Sequence, residues 1–253
     1  MERWSGRVAL VTGASVGIGA GICRALVKHG MKVVGTARNV NQIQALSQEL
    51  SGETGSLTAI KCDLRKDTEV LALFSTIKKQ FGGVDVCINN AGMSSNHRLL
   101  EGTPDEWREM LDVNIVSLCL CTKEAVRSMR ERGVNDGQVI HISSILAHIQ
   151  QCGATSHFYL ATKWAVKALT EGLRQELRDL KSNIRIASIS PGIVETEFSY
   201  RKNKDNPEIA KKMYSSLEAL QPQDVAATVV HVLSAPQHVQ IHDILMRPTE
   251  MKI

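Results

Sequence analysis

A single α/β domain, built on a doubly wound, seven-stranded parallel sheet with helices on both faces, is the architecture this sequence predicts. Three observations carry it. Short β-branched apolar runs alternate with longer amphipathic segments along all 253 residues. The runs are apolar at successive rather than alternate positions, as strands buried on both faces must be. No linker, repeat or low-complexity break interrupts the alternation, so residues 1–253 are expected to form one unit whose strands are joined by right-handed helical crossovers.

The first strand is expected at residues 8–12, where Val8-Ala9-Leu10-Val11 runs into Thr12-Gly13. The others are expected at 32–36, 57–62, 84–89, 138–143, 184–190 and 239–246, with helices at 19–29, 40–50, 67–81, 104–132, 156–180 and 222–233. Thr103-Pro104 and Gln221-Pro222 mark two helix starts, because proline in the first turn lacks only an N–H that has no partner there. Residues 195–220 lack periodicity. They are expected to form an irregular flap, spanning about 193–221, of a length that is more often functional than idle.

Composition excludes several classes. Hydrophobic residues at 43% and charged residues at 22% are the balance of a folded chain, not of a disordered or collagen-like one. Lys plus Arg number 30 against 26 Asp plus Glu, a net charge of +4, and the basic residues are scattered from Arg3 to Lys252. Pairs such as Lys78-Lys79 and Lys211-Lys212 make no track for nucleic acid, and Arg201-Lys202-Asn203-Lys204-Asp205 reads as a solvated loop. Six cysteines (Cys23, Cys62, Cys87, Cys119, Cys121 and Cys152), none in a CxxC spacing, read as reduced thiols. Residues 1–7 hold no apolar secretion signal and nowhere do about 18 apolar residues run together, so a cytoplasmic protein without a membrane span is expected. The eight histidines form no HxxxH or HExxH on an expected helix, and no metal site is expected.

Directly after the first strand comes Thr12-Gly13-Ala14-Ser15-Val16-Gly17-Ile18-Gly19, followed by an apolar helix. Gly13 permits a sharp turn, Gly17 lets backbone approach a pyrophosphate, and Gly19 lets the helix pack closely on the sheet. The helix start then offers free N–H groups and a positive dipole end, which makes this a dinucleotide site. In such sites an acidic residue closing the second strand accepts from the ribose 2′-hydroxyl of NAD. Here neutral Ala37 stands at that position, eighteen residues past Gly19, with Arg38 beside it. A guanidinium suits a 2′-phosphate, so NADP (NADPH) is the expected cofactor.

Tyr159-x-x-x-Lys163 puts a phenol and an ammonium one turn apart on one helix face. A positive charge there favours phenolate; lowering a tyrosine pKa from about 10 towards 7 is ~4 kcal/mol of differential stabilisation. A second match, Tyr200-x-x-x-Lys204, falls in the aperiodic stretch with no helix pattern to hold the pair, and is read as a decoy. What distinguishes Tyr159 is its company: the glycine loop, Asn89-Asn90-Ala91-Gly92 after the fourth strand, Ser143-Ser144 after the fifth and Pro191-Gly192 after the sixth, all at carboxyl ends of strands, where doubly wound sheets bind ligands.

On these residues the sequence resembles the short-chain dehydrogenase/reductase family over residues 6–247. Within the family, Met1-Glu2-Arg3-Trp4, Val194-Glu195-Thr196 and the run from Gln240 to Thr249 are similar to a branch acting on ketosteroids, isoprenoid alcohols such as farnesol, or dicarbonyls. The resemblance implies a Rossmann domain and four catalytic residues. Tyr159 protonates the carbonyl oxygen, Ser144 hydrogen-bonds that oxygen, Lys163 holds the nicotinamide ribose and depresses the tyrosine pKa, and Asn114 anchors a water that relays protons to Lys163. It implies a cofactor site drawn from Gly13, Ser15, Gly17, Ile18, Gly19, Arg38, Asp63 at the adenine, Leu64, Asn90, Ala91, Gly92, Tyr159, Lys163, Pro191, Gly192, Ile193, Val194 and Thr196. It implies a substrate wall of Ser144, Leu146, His148, Phe158, Tyr159, Ile193 and Phe198, and a homodimer or homotetramer built on helix faces that include Leu118 to Cys121 and residues 165–177.

Three departures stand out. The Ser144 to Tyr159 gap is two residues longer than the family's common spacing, Val16 replaces the Arg or Ser of many NADP-using members, and His141 replaces an Asn before the serine pair. The acidic run Asp105, Glu106, Glu109 and Asp112 reads as a solvated first helical turn. The expected activity is NADP-dependent interconversion of a small apolar carbonyl compound and its alcohol; the rival is a catalytically silent NADP-binding regulator on the same fold.

Overall fold

The computed structural model describes residues 1–150, 153 and 155–251; Cys152 and Lys252 lie outside the described residues. Seven strands among these form one all-parallel sheet: β1 (Val8–Thr12), β2 (Lys32–Ala37), β3 (Ser56–Lys61), β4 (Val86–Asn89), β5 (Gln138–Ile142), β6 (Arg185–Pro191) and β7 (Asp243–Met246). Their order is β3-β2-β1-β4-β5-β6-β7, so the chain reverses direction across the sheet between β1 and β4. Helices connect them: α1 (Gly17–Lys28), α2 (Asn41–Glu49), α3 (Asp67–Phe81), α4 (Pro104–Leu111), α5 (Ser117–Glu131), α6 (His157–Asp179), α7 (Glu197–Lys202), α8 (Pro207–Ser215) and α9 (Pro222–Ser234). The architecture is the single Rossmann domain that the sequence predicts.

The successive apolar residues of β1 to β6 serve two cores, whereas β7, at the sheet edge, leaves Leu245 exposed. In β1, Ala9 and Val11 face a layer with Ile22 and Leu26 of α1 and Val229 of α9, while Val8 and Leu10 face one with Leu73 of α3 and Ala125 of α5. Trp4 is fully buried, its indole N–H donating to Leu233 O at 2.8 Å between the guanidinium groups of Arg3 and Arg7. Thr103 caps α4 in a capping box with Glu106, a contact worth about 1 kcal/mol. Gln221 and Asp224 do the same for α9.

The elements depart from the sequence reading in three places. Residues 104–132 are one helical run, but Asp112–Val116 is a π turn between α4 and α5. Strand β7 begins at 243 rather than 239, because the carbonyls of Ala235, Pro236 and Val239 accept from the Arg185 guanidinium instead of from a ladder. The aperiodic stretch 195–220 carries two helices: Thr196 caps α7, and Asn206-Pro207 opens α8, which buries Ala210 and Tyr214. The flap's base is closed by a bridge between Val194 and Leu220.

His141 acquires a structural account here. On β5 it is buried between Thr122 Oγ1 at 3.1 Å and Thr170 Oγ1 at 2.9 Å, so it ties α5 and α6 to the sheet. Burial first, and the Lys163 ammonium second, lower its pKa to about 3. The imidazole is therefore neutral when folded but takes a proton below about 6.5 when unfolded. The sign follows: stability is full above pH 6.5 and falls, by about 1.4 kcal/mol per pH unit from this group alone, as the pH drops towards 3. His141→Asn is expected to remove that one-proton slope from the acid limb of a denaturation series; an unchanged slope would refute the assignment.

Candidate active site

The carboxyl ends of β1, β4, β5 and β6 bring the sequence-identified residues together. Gly13 adopts φ +65° and Gly17 φ +56°, both left-handed, where a side chain is strained. A Cβ at Gly13 would lie 2.9 Å from Ala91 Cα, and one at Gly17 would lie 3.0 Å from Thr196 Cγ2, so the loop sits between the β4 turn and the flap. Ser15 and Ile18 are partly exposed along it, and no side chain caps the start of α1. The loop therefore presents helix N–H groups where an anion can reach them, which fits the pyrophosphate of a dinucleotide.

Asn90 braces this loop: its Nδ2 donates to Thr12 O at 2.8 Å and to Gly13 O at 3.2 Å, while Thr12 Oγ1 accepts from the N–H groups of Asn90 and Ala91, each at 3.0 Å. Gly92 passes so close that a Cβ there would stand 3.6 Å from Asn114 Oδ1 and 3.8 Å from Lys163 Nζ. At the other end of the cleft, Ala37 ends β2 with Arg38 exposed beside it. Asp63 is held by Arg65, whose Nε donates to its carboxylate at 2.9 Å; that hydrogen bond chiefly, and Arg38 in a smaller measure, lower the Asp63 pKa to about 2. Leu64 packs at the edge of the core beneath.

Tyr159 and Lys163 lie on one face of α6. The Lys163 Nζ stands 5.5 Å from the Tyr159 ring centroid and donates to Ile142 O at 3.0 Å. Burial lowers its pKa to about 8. The expected depression of the tyrosine is not what the protein does by itself. Loss of solvation around the hydroxyl pushes the Tyr159 phenol above its ordinary value, and a hydrogen bond with the Ser144 side chain only partly offsets that. Ser144 precedes a short 3-10 turn, Ile145–Ala147, and its Oγ accepts from Leu146 N–H at 3.1 Å.

Asn114 is buried by the π turn. Its Oδ1 accepts from Met93 N–H at 2.9 Å, and its Nδ2 donates to Met93 O at 2.9 Å and to Thr162 Oγ1 at 3.0 Å. Thr162 in turn donates to Tyr159 O at 2.7 Å. A π turn adds a residue to one helical turn and so re-aims the side chain it carries; such turns cluster at functional sites. Nothing in the sequence marks it.

The flap closes the remaining side. Phe198 lies 5.6 Å from Tyr159, centroid to centroid, whereas Phe158 stacks on Trp107 of α4 at the same distance. Ile193 packs against the flap's own small core. The backbone of Thr196 is gripped from both sides, its N–H donating to Tyr214 Oη at 3.3 Å and its carbonyl accepting from that hydroxyl at 2.9 Å. Gly192 N–H donates to Met246 O, which fixes the chain after Pro191. Leu146 is partly exposed near Ser144, but both ring nitrogens of His148 are engaged within the protein. Trp107, Thr162 and Tyr214 went unread in the sequence, because polar and aromatic residues scattered over three helices reveal no common site until the chain is folded. The acidic run is not merely solvated: Glu106 joins the cap and pairs with His97, and Glu109 pairs with Arg65. The decoy pair is split, since Asn203 ends α7 before Lys204. A depression of about 750 Å³ at the amino ends of the strands, lined by Arg7, Lys32, Asp85, Asp136 and Arg185 among others, holds none of these groups.

The sheet and the arrangement at its carboxyl edge are those of an oxidoreductase. Residues 7–207 match the family model for short chain dehydrogenase, and the chain belongs to the short-chain dehydrogenase/reductase family. Dehydrogenase/reductase SDR family member 11 of Gallus gallus is 54% identical over 252 residues, which make up 99% of each chain. Farnesol dehydrogenase of Aedes aegypti is 42% identical over 256 residues and the whole of both chains. A solved serine dehydrogenase, in its closed form complexed with NADP+, is similar at a TM-score of 0.89 and 31% identity, over 97% of this chain and 96% of that one. Among the described residues no helix is long and apolar enough to cross a membrane.

Proposed function

We propose that this protein is an NADP-dependent carbonyl reductase and alcohol dehydrogenase acting on apolar substrates such as ketosteroids, isoprenoid alcohols or dicarbonyls. The observation that carries the reading is the meeting of the Ser144 hydroxyl with the Tyr159 phenol over the buried Lys163 ammonium. NADPH, when bound, supplies the hydride. Tyr159, whose raised pKa keeps it protonated at neutrality, is suited to donate the proton that completes reduction. Ser144 already accepts from Leu146, so its own hydrogen is left to donate to the carbonyl oxygen, where charge develops. Lys163 holds the nicotinamide ribose, and its positive field eases the phenolate left on Tyr159. Asn114, fixed on three sides, is the anchor of the proton path towards Lys163.

The glycine loop, Asn90-Ala91-Gly92 and the run from Pro191 to Thr196 cradle the dinucleotide. Leu146, Phe158, Ile193 and Phe198 supply apolar surface to a substrate beneath the flap. The farnesol dehydrogenase relative supports an isoprenoid alcohol among the substrates. Trp164 and Leu169, exposed on α6, support a homodimer or homotetramer. Loss of NADPH absorbance with a panel of ketones, aldehydes and dicarbonyls tests the activity. No turnover with any of them, while NADPH still binds, would favour the silent regulator.

Cofactor choice rests on Ala37 and Arg38, and the NADP+ complex of the serine dehydrogenase supports it. Charge-assisted hydrogen bonds to a 2′-phosphate are worth about 1.5–3 kcal/mol, roughly 10- to 100-fold in binding. The double variant Ala37→Asp/Arg38→Ile is expected to lower efficiency with NADPH by about that factor and to raise it with NADH. Equal catalytic efficiency of the wild type with both cofactors would overturn the assignment.

A further inference from the structure

We propose that His148 is a positioning residue that pins the Ser144 turn to the far edge of the sheet and acts on the reaction through Ser144. The inference rests on the catalytic reading above. From Ser144 to His148 the chain is a tight unit: Leu146 N–H donates to Ser144 Oγ at 3.1 Å, Ala147 N–H to Ser144 O at 2.9 Å, and His148 N–H to Ile145 O at 2.9 Å. One end is tied to the sheet through Ser143 N–H, which donates to Ile189 O at 2.7 Å. The other end packs through buried Ile145 and Ala147 and is tied by hydrogen bonds through the His148 ring. Its Nε2 lies 3.0 Å from Ser190 Oγ on β6 and 3.1 Å from Asp243 Oδ2 on β7, and Ser190 Oγ donates to Asp243 Oδ1 at 3.0 Å.

Lys167 Nζ, on the next turn of α6 after Lys163, donates to His148 Nδ1 at 3.2 Å. An ammonium can only donate, so Nδ1 accepts and the ring proton sits on Nε2. That N–H then points at the acceptors on β6 and β7, and the Lys167 and Asp243 charges bracket the ring from its two sides. Arg174 lies near enough to Asp243 to feel its charge and pairs with Glu171 on α6. Three elements separated in sequence thus converge on one imidazole placed four residues after Ser144. Ordinary loop packing does not require this, and the longer gap between Ser144 and Tyr159 supplies a reason. A catalytic turn followed by extra chain holds its register only if it is fastened before the insertion.

Two measurements test the pin. Amide hydrogen exchange by NMR should show, in His148→Ala, at least tenfold faster exchange confined to Leu146, Ala147 and residue 148. Unchanged rates, or a rise shared by all core amides, would overturn the proposal, and this readout needs no turnover. In steady-state kinetics the same variant should lose about 10- to 100-fold in kcat, the scale of a misplaced reacting group, with KM for NADPH unchanged. His148→Gln, whose amide can still donate to Asp243, should recover most of that loss. In a Ser144→Ala background His148→Ala should cost less than about twofold, because its target is already gone. Equal losses in both backgrounds, or an unaltered kcat, would overturn the coupling to Ser144. If His148→Ala fails to fold, Asp243→Ala removes the same anchor from β7 and should show the same dependence on Ser144. An inactive wild type would instead defeat the catalytic reading, leaving the exchange data to decide the pin.

Discussion

Tyr159→Phe is expected to lower turnover by about 10² to 10⁴-fold while NADPH binds within about twofold of wild type. The variant deletes one hydroxyl, the proton donor, and general acid catalysis of this kind contributes on that scale. The ring remains to pack against Phe198, and Lys163 keeps its bond to Ile142 O, so the cofactor side of the site is undisturbed. Tyr200→Phe is the internal control. Its ring lies 5.8 Å from that of Tyr214 within the flap, it is partly exposed, and Lys204 falls beyond the end of α7, so no ammonium stands one turn away. Steady-state kinetics with NADPH and a competent ketone, together with NADPH fluorescence titration, should show a loss in Tyr159→Phe and near silence in Tyr200→Phe. Equal losses in the two would end the distinction between them.

Local signals in the chain carry the architecture and the residue types at the site, but not the distant contacts that aim those residues. β1 and α3 coincide with their expected spans because the cause is local: four successive apolar residues before Thr12-Gly13 in one case, an acidic first turn and Gly82 at φ +83° after the last residue in the other. The glycine loop was equally legible, since close approach of backbone leaves glycine no substitute. What was hidden depends on distant partners. Asn114 gains its aim from a π turn, Arg185 shortens β7 by taking carbonyls fifty and more residues away, and His148 looks like a wall residue until Ser190, Asp243 and Lys167 claim its ring. The Tyr159 pKa follows the same logic: spacing shows the helpful charge of Lys163 but not the burial that outweighs it.

Ser144→Ala is expected to reduce turnover at least 100-fold, and Ser143→Ala to stay within about tenfold of wild type. Side chains alternate along an extended chain, so adjacent serines at a strand end face opposite sides and only one can meet Tyr159. The two are distinguished by their partners. Ser144, with φ −164° and ψ 154°, is extended two residues past β5, and its hydroxyl accepts from Leu146 while meeting the phenol. Ser143 bonds to the sheet through its N–H, which donates to Ile189 O. Its hydroxyl, expected to satisfy backbone at the strand end, is instead buried without a partner among the described residues. Removing a donor aimed at a developing oxyanion costs 10²-fold or more. Removing a buried hydroxyl that bonds to nothing deletes no interaction and relieves a desolvated polar group, so Ser143→Ala should keep or raise the melting temperature as well as keep its activity. Steady-state kinetics and thermal unfolding of the two variants decide the matter; the reverse ranking in kcat would mean that Ser143, not Ser144, is the hydroxyl that faces the substrate.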